Sequence, residues 1–338
     1  MEINNKLKNS INLELSYTIA HDSLIEQFLD NTFIIFKSKE EILYLIYSSY
    51  NQSIISYNLN SFSIISYIRN AHNKAIINFR YHYYQKEKID LIMSISFDNN
   101  IKIWNIIQWK CIINLENINN SGGILSGCFL NDKNNVYIIT SGIYNSEPIK
   151  IYSLQGDKIN NINESNDNTY FIDTYYDKKQ LKIYIIGGHF NCIKSYDYSN
   201  NKLYKKYYER NTNEHCSAII FPSNNNILLI DSYCGIDRNI RIWNFHSAIL
   251  IKKIFINSIP MGLCLLSEKY LFVGCVDKSI KFVDISGKLE IKSFIGHKEW
   301  ICTIKFFEHP KLGKCLISQG RNNDNINIWA IKIRNTNV

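Results

Sequence analysis

The sequence predicts an all-β fold of seven similar units, each a small antiparallel sheet of four strands. Three observations support this: a six-residue segment returns at nearly even spacing, its residues alternate between apolar and polar, and a turn-forming Asp precedes its best copies. The copies are separated by 47, 48, 44, 47, 40 and 46 residues and begin at Ile54, Ile101, Ile149, Ile193, Ile240, Ile280 and Ile326. Short β segments at a period in the forties are typical of the blades of a β-propeller, not of helical solenoids.

Each copy has the pattern of a strand with two differently solvated faces. Apolar residues stand at its first and, in most copies, its third position, and the second is usually polar or basic, as Lys102 is in the copy IKIWNI. The fourth position, here called the ring position, holds Tyr57, Trp104, Tyr152, Tyr196, Trp243 and Trp329, with Val283 as the exception. Three residues before their copies stand Asp98, Asp237 and Asp277, in short polar turns where Asp can bond to its own backbone. We therefore expect a turn followed by a strand at these copies.

The remaining strands are predicted from the same alternation, taken along the chain. Residues 11–19 form an N-terminal strand, and residues 21–31 form a loop. The strands of the first four blades are 32–36, 42–47, 54–59, 62–68; 75–83, 89–96, 101–106, 109–115; 124–130, 135–141, 149–154, 157–162; and 169–176, 181–187, 193–198, 202–209. Those of the last three are 216–221, 227–232, 240–245, 249–256; 261–266, 270–276, 280–285, 288–294; and 301–307, 314–318, 326–331.

The seventh blade thus has only three strands of its own. Pairing of 11–19 beside 326–331 would supply the fourth and cover an exposed sheet edge. We expect this closure, which makes residues 1–338 a single seven-bladed β-propeller domain; the alternative is that 11–19 is a free arm that binds a partner.

Two His residues stand at the same distance from a ring-position Trp. The separation is 32 residues both from His297, in Gly296-His297, to Trp329 and from His72, in Ala71-His72, to Trp104. These residues resemble the WD-repeat family of β-propellers, whose pattern has Gly-His, a turn Asp and Trp-Asp. No copy here has Asp after Trp, Gly-His occurs once, and three copies lack the turn Asp. The resemblance is strong at 70–116 and 212–331 and weak at 145–210.

The resemblance implies a buried hydrogen-bonded tetrad in two blades. One consists of His72, Asp98, Trp104 and a Ser at 94 or 96. The other consists of His297, Ser318, Trp329 and either Asn323 or Asp324. His and Asp can also serve as acid and base, but at these positions we expect them to satisfy each other structurally, and we expect no enzyme activity.

No cofactor or metal site is predicted. The six other His residues fit no HExxH pattern, and the two Gly-Gly pairs lack the context of a phosphate-binding loop. The nine Cys include no CxxC pair, so we interpret them as buried thiols in a reducing compartment rather than as a disulfide framework. No apolar run approaches the ~18 residues that span a bilayer. We expect a cytoplasmic or nuclear protein that does not enter a membrane and is monomeric by itself.

The net charge of +8 raises the possibility of a nucleic-acid partner. The most basic stretch, residues 202–210 (KLYKKYYER), interleaves cations with rings, as single-strand binders do. It and Lys252-Lys253 fall in predicted outermost strands, where Lys also protects a sheet edge from aggregation. RNA is therefore an alternative partner, and edge protection is the competing interpretation.

We expect the function of a non-catalytic scaffold that binds a protein or peptide within a larger complex. The alternatives are an RNA- or ribonucleoprotein-associated propeller using 202–210 and a propeller hydrolase. Loops before the first and third strands of the blades share one face, called here the loop face. The candidate partner-binding residues on this face are Lys74, Phe97, Tyr170, Arg238, Glu299, Trp300 and Arg321. Trp300 is the best candidate anchor, because Trp and Arg dominate binding energy at interfaces; the alternative is that Trp300 caps its own blade as core.

Overall fold

A computed structural model shows seven four-stranded antiparallel sheets arranged as a seven-bladed β-propeller, as the sequence predicts. It describes residues 11–20, 31–116, 123–133, 135–142, 149–162, 168–210, 215–223, 226–235, 238–287, 290–321 and 324–333. The predicted loop 21–31, apart from residue 31, and the turn residue Asp237 lie outside them. In the described residues the strands are within two residues of the predicted bounds.

The 28 strands of the described residues are numbered in chain order and have four kinds of position in the blades. The innermost strands of blades 1 to 7 are β2 (Phe33–Lys37), β6 (Ile76–Tyr84), β10 (Ile124–Asp132), β14 (Phe171–Asp177), β18 (His215–Ser223), β22 (Pro260–Ser267) and β26 (Ile301–His309). The second strands are β3 (Leu43–Ser48), β7 (Ile89–Ser96), β11 (Asn135–Gly142), β15 (Lys182–Gly188), β19 (Asn226–Tyr233), β23 (Tyr270–Cys275) and β27 (Gly313–Gly320).

The third strands carry the repeated segment, and the fourth strands form the rim of the ring. The third strands are β4 (Ile54–Asn58), β8 (Ile101–Asn105), β12 (Ile149–Ser153), β16 (Cys192–Asp197), β20 (Asn239–Asn244), β24 (Ser279–Asp284) and β28 (Ile326–Ile333). The outermost strands are β5 (Ser63–Ile68), β9 (Lys110–Leu115), β13 (Lys158–Ile162), β17 (Lys202–Tyr208), β21 (Leu250–Phe255), β25 (Glu290–Ile295) and, in blade 7, β1 (Ile11–Ile19).

The core lies between neighbouring blades, which explains why the strands are apolar on both faces. In β8, Ile101 and Ile103 pack into a cluster with residues of blade 3, whereas Trp104 packs on the opposite face with residues of blade 1. Alternate side chains of a strand point to opposite faces of its sheet. The repeated segment therefore joins its blade to both neighbours.

The N-terminal strand closes the ring. β1 pairs antiparallel with β28 along its length, from Ile11 opposite Ile333 to Ile19 opposite Ile326. The pairing shifts register opposite the ring-position residue Trp329, and the outermost strands of the other six blades shift at the equivalent point. β1 is thus a true fourth strand, and the alternative of a free arm at residues 11–19 is wrong.

Side-chain hydrogen bonds also join the first and last blades. The Thr32 hydroxyl lies 2.8 Å from the Thr303 hydroxyl and 2.7 Å from the Gln319 side-chain oxygen, and all three residues are buried. Buried polar groups have to be paired to avoid a desolvation cost. This network therefore adds a specific polar contact to the apolar cluster that blades 1 and 7 share.

Candidate functional site

Blade 2 brings His72, Asp98, Trp104 and Ser94 together. His72 precedes β6, Ser94 lies in β7, Asp98 lies in the turn after β7, and Trp104 lies in β8. The His72 Nδ1 atom is 3.0 Å from an Asp98 carboxylate oxygen, and its Nε2 atom is 2.7 Å from Ser94 Oγ. Trp104 Nε1 donates to the same Ser94 oxygen at 2.8 Å. Of the two serines the sequence allowed, Ser94 occupies this place, while Ser96 donates to the Lys74 carbonyl.

The chemistry of the four groups fixes the direction of their hydrogen bonds. An ionised carboxylate can only accept, so His72 Nδ1 must carry the hydrogen that Asp98 receives. In a neutral ring Nε2 is then an acceptor, and it receives the Ser94 hydroxyl hydrogen. The result is one chain of donors from Trp104 through Ser94 and His72 to Asp98.

The pKa values agree with this assignment. Burial lowers the pKa of His72 below its ordinary value, although the Asp98 carboxylate opposes that shift. Burial alone would raise the pKa of Asp98, but hydrogen bonds from His72 and from the backbone amides of Asn73 and Asn100 hold it at about 2. At neutral pH the pair is a neutral imidazole beside a carboxylate, enclosed in the blade.

Blade 7 repeats the arrangement with His297, Ser318, Asp324 and Trp329. His297 Nδ1 is 2.8 Å from Asp324, its Nε2 atom is 2.7 Å from Ser318 Oγ, and Trp329 Nε1 donates to Ser318 at 2.8 Å. Asp324 is the acidic member; the other candidate, Asn323, lies outside the described residues. Gly296 packs directly on the indole, since a Cβ there would come within 2.2 Å of Trp329 Cη2. This explains the need for Gly before His297.

Blade 4 contains a rearranged network that the sequence analysis missed. Tyr196 pairs with Ile185 as Trp104 pairs with Ile92, so Gly187 stands where blade 2 has Ser94. His189 follows β15, in the turn that holds Asp98 in blade 2, and its ring is 3.3 Å from both the Thr169 hydroxyl and the Tyr196 hydroxyl. A Cβ on Gly187 would come within 3.1 Å of His189 Nε2, so the missing side chain makes room for the imidazole. The only sign of this network in the sequence was the segment Gly187-Gly188-His189 after a predicted strand.

Blade 5 departs from the tetrad in another way. Asp231 stands at the position of Ser94, and His215 Nδ1 lies 3.1 Å from its carboxylate, with both side chains buried. The completely buried Arg241 donates from Nε to Glu209, at the end of blade 4, at 2.6 Å. Lys253 is paired with the other oxygen of Glu209. This clamp of Arg241, Glu209 and Lys253 joins blades 4 and 5 at the loop face.

The candidate partner-binding residues all lie in loops at one end of the blades, but they differ in exposure. Lys74 and Arg238 are exposed. Phe97 and Tyr170 are partly buried and pack against the apolar cluster of blades 2 and 3. They therefore contribute to the core as well as to the surface.

Trp300 and Arg321 form a stacked pair on blade 7. The Arg321 guanidinium carbon lies 5.1 Å from the centre of the Trp300 ring, and the Arg321 amide donates to the Trp300 carbonyl at 2.8 Å. Both side chains are partly exposed, as is Glu299, whose backbone amide donates to Asp324. The blade 7 tetrad thus holds the backbone next to Trp300 in place.

The basic segment 202–210 contains the whole of β17, the outermost strand of blade 4. Tyr207 points inward and is buried, whereas Lys206 and Tyr208 are exposed, with the ammonium 5.0 Å from the ring centre. Lys252 and Lys253 lie in the outermost strand β21. Both basic stretches therefore lie on the rim, and not all of their cations face solvent.

Across the described ranges, no three His, Cys, Asp or Glu side chains are grouped so that they could hold a metal ion. None of the nine Cys, all in described positions, forms a disulfide. No helix in the part of the chain that the structure describes has the length and apolar character of a membrane span. Compared with known proteins, the chain matches no protein-family model and no curated protein.

Proposed function

We propose that this protein is a non-catalytic WD-repeat scaffold of the cytoplasm or nucleus that binds a protein or peptide through its loop face. The observation that supports it best is the pair of His-Ser-Asp-Trp networks in blades 2 and 7. In both, the imidazole has hydrogen-bond partners at both nitrogens and is buried. A residue bound in this way holds loops in position and has no nitrogen available for a substrate.

The loop face offers a partner an aromatic and cationic anchor. Trp300 and Arg321 present a stacked indole and guanidinium, and Trp and Arg are the residues most enriched among those that dominate binding energy. The tetrad beneath holds their backbone, so little side-chain and loop entropy is lost when a partner binds. The neighbouring Lys298 and the more distant Lys74 and Arg238 are exposed cations, which favour an acidic segment.

Affinity purification and mass spectrometry from the native cell would identify the partner, and a pull-down with Trp300→Ala/Arg321→Ala would test the site. We expect the double variant to keep its unfolding midpoint and to lose at least about 2 kcal/mol of binding free energy. Tyr176→Ala/Lys179→Ala is the matched control, because it removes an exposed aromatic and an exposed cation from the opposite end of blade 4. Equal binding by the two double variants would refute the assignment of the anchor.

A second candidate function is RNA binding by β17, because Lys206 and the exposed Tyr208 place a cation beside a ring that can stack on a base. Lys205→Glu/Lys206→Glu should then weaken retention on single-stranded RNA and reduce the salt dependence of the binding that remains. Lys178→Glu/Lys179→Glu, which changes two exposed cations elsewhere in blade 4, is the control. Equal RNA retention by the two double variants would leave edge protection as the role of the lysines.

A further inference from the structure

The outermost strand of blade 1 differs from the other six in carrying no charge. β5 has the sequence SIISYI, whereas each of the other outermost strands contains at least one Lys or Glu. Charged residues on an edge strand oppose pairing with a strand from another molecule. The charge that protects the other edges is therefore missing from β5.

β5 also exposes large apolar side chains. The exposed fractions of Ile64, Ile65 and Tyr67 are 59%, 41% and 41%. Ile and Tyr favour extended strands, and β5 contains neither Pro nor Gly. Its only strand partner in the described structure is β4, so the outer side of its backbone ladder is open.

The apolar surface continues onto the neighbouring blade. Tyr17 of β1 contacts Phe62, just before β5, with ring centres 4.3 Å apart, and its hydroxyl accepts from the Tyr57 hydroxyl at 3.2 Å. Leu15 and Tyr17 are both exposed. The rim at the junction of blades 7 and 1 therefore has exposed apolar side chains beside an open strand edge.

We propose that this edge pairs with the β5 edge of a second copy of the chain, so that two rings join rim to rim through one eight-stranded sheet. An antiparallel pair with two-fold symmetry places the Ile64 end of one strand beside the Tyr67 end of the other. No like charges oppose each other in this pairing, because β5 has no charged residue. The backbone amides and carbonyls on the open edge of β5 would form hydrogen bonds with those of the second strand. The sequence analysis led us to expect a monomer; the exposure of Ile64, Ile65 and Tyr67 on this edge is visible only in the structure.

The test is sedimentation velocity of the purified full-length chain over a dilution series, with one variant and one control. Ile65→Lys puts a charge on the exposed residue at the register shift between β4 and β5. Ile251→Lys does the same at the equivalent shift between β20 and β21, where the exposed fraction of Ile251 is 53%. The two substitutions match in chemistry and in place within the blade.

We expect the wild type and Ile251→Lys to form dimers on concentration, and Ile65→Lys to weaken the dimer at least about tenfold. Backbone amides of residues 63–68 should also exchange hydrogen more slowly as the wild-type protein is concentrated. A wild type that stays monomeric throughout the series, or an Ile65→Lys variant that associates as the wild type does, would overturn the proposal. Equal melting temperatures of the two variants would show that both are folded.

Discussion

Ser94→Ala is the most direct test of the hydrogen-bonded chain in blade 2. The Ser94 hydroxyl accepts from Trp104 Nε1 and donates to His72 Nε2. The substitution leaves both nitrogens buried without that partner, at a cost of about 1–3 kcal/mol each. We therefore expect the free energy of unfolding to fall by about 2–6 kcal/mol, a large part of the total of about 5–15 kcal/mol that is usual for a folded protein.

The assay is urea unfolding followed by Trp fluorescence and, independently, by circular dichroism, with coincident curves as the condition for a two-state treatment. Ser56→Ala is the matched control: Ser56 is also completely buried in a strand, but its hydroxyl has no hydrogen-bond partner in the described residues. It should change stability by less than about 1 kcal/mol, because no bonded group loses its partner. If the two variants were equally stable, the chain of donors would not be a source of stability.

Three further predictions concern closure, pH and the contact between blades 4 and 5. Deletion of residues 1–20 should open the edge of blade 7 and cause aggregation or loss of cooperative unfolding, visible by gel filtration; a stable monomer would contradict it. Burial lowers the pKa of His72, so the unfolded chain binds the extra proton and stability falls as the pH drops below about 6.5. His72→Gln should therefore flatten the fall in urea midpoint between about pH 7 and about pH 5, and an unchanged slope would rule this out. Glu209→Ala should lower the free energy of unfolding by about 3 kcal/mol, because it leaves Arg241 buried without its carboxylate. Lys253→Ala, at a more exposed site, should lower it by less than about 1 kcal/mol. Similar unfolding midpoints for the two variants would contradict a stabilising role of the contact between Arg241 and Glu209.

The fold could be predicted because its determinants are local. The alternation in segments such as IKIWNI and the turn before it require only neighbouring residues, and they recur in blade after blade. Closure could be predicted from one mismatch: a seventh blade with three strands and a first strand with no partner. The register shift beside the ring position also occurs in all seven blades, so the same four-strand pattern applies to each of them.

The polar networks were predictable only where residue identity and spacing were both kept. His72 and His297 stand 32 residues before a Trp, and the structure places each beside that Trp. In blade 4 the imidazole comes from a different loop, as His189, and Gly187 replaces the serine. The equivalence follows from strand register, which the sequence does not show.

The contact of Arg241 with Glu209 was missed for a related reason. Arg241 stands at the usually polar second position of its copy of the repeated segment, and Glu209 belongs to the stretch 202–210, which was considered for its cations. In the folded ring the end of one blade lies beside the third strand of the next, which encloses the Arg241 side chain. The burial of a charge across a blade junction depends on how the blades pack, and no local pattern encodes it.

The pairing of β1 with β28 also determines the order in which the molecule can be completed during translation. β1 leaves the ribosome before the strands of every blade, yet its partner strand is made after all the other blades have been synthesised. Domains generally fold from the N-terminal side as they emerge, so the blades between these strands can form while β1 is still unpaired. Contacts between residues so distant in sequence are also slow to form, because loop closure has to precede them. A nascent chain would thus expose the apolar side chains of β1 throughout synthesis, which makes this strand the expected point of contact for chaperones.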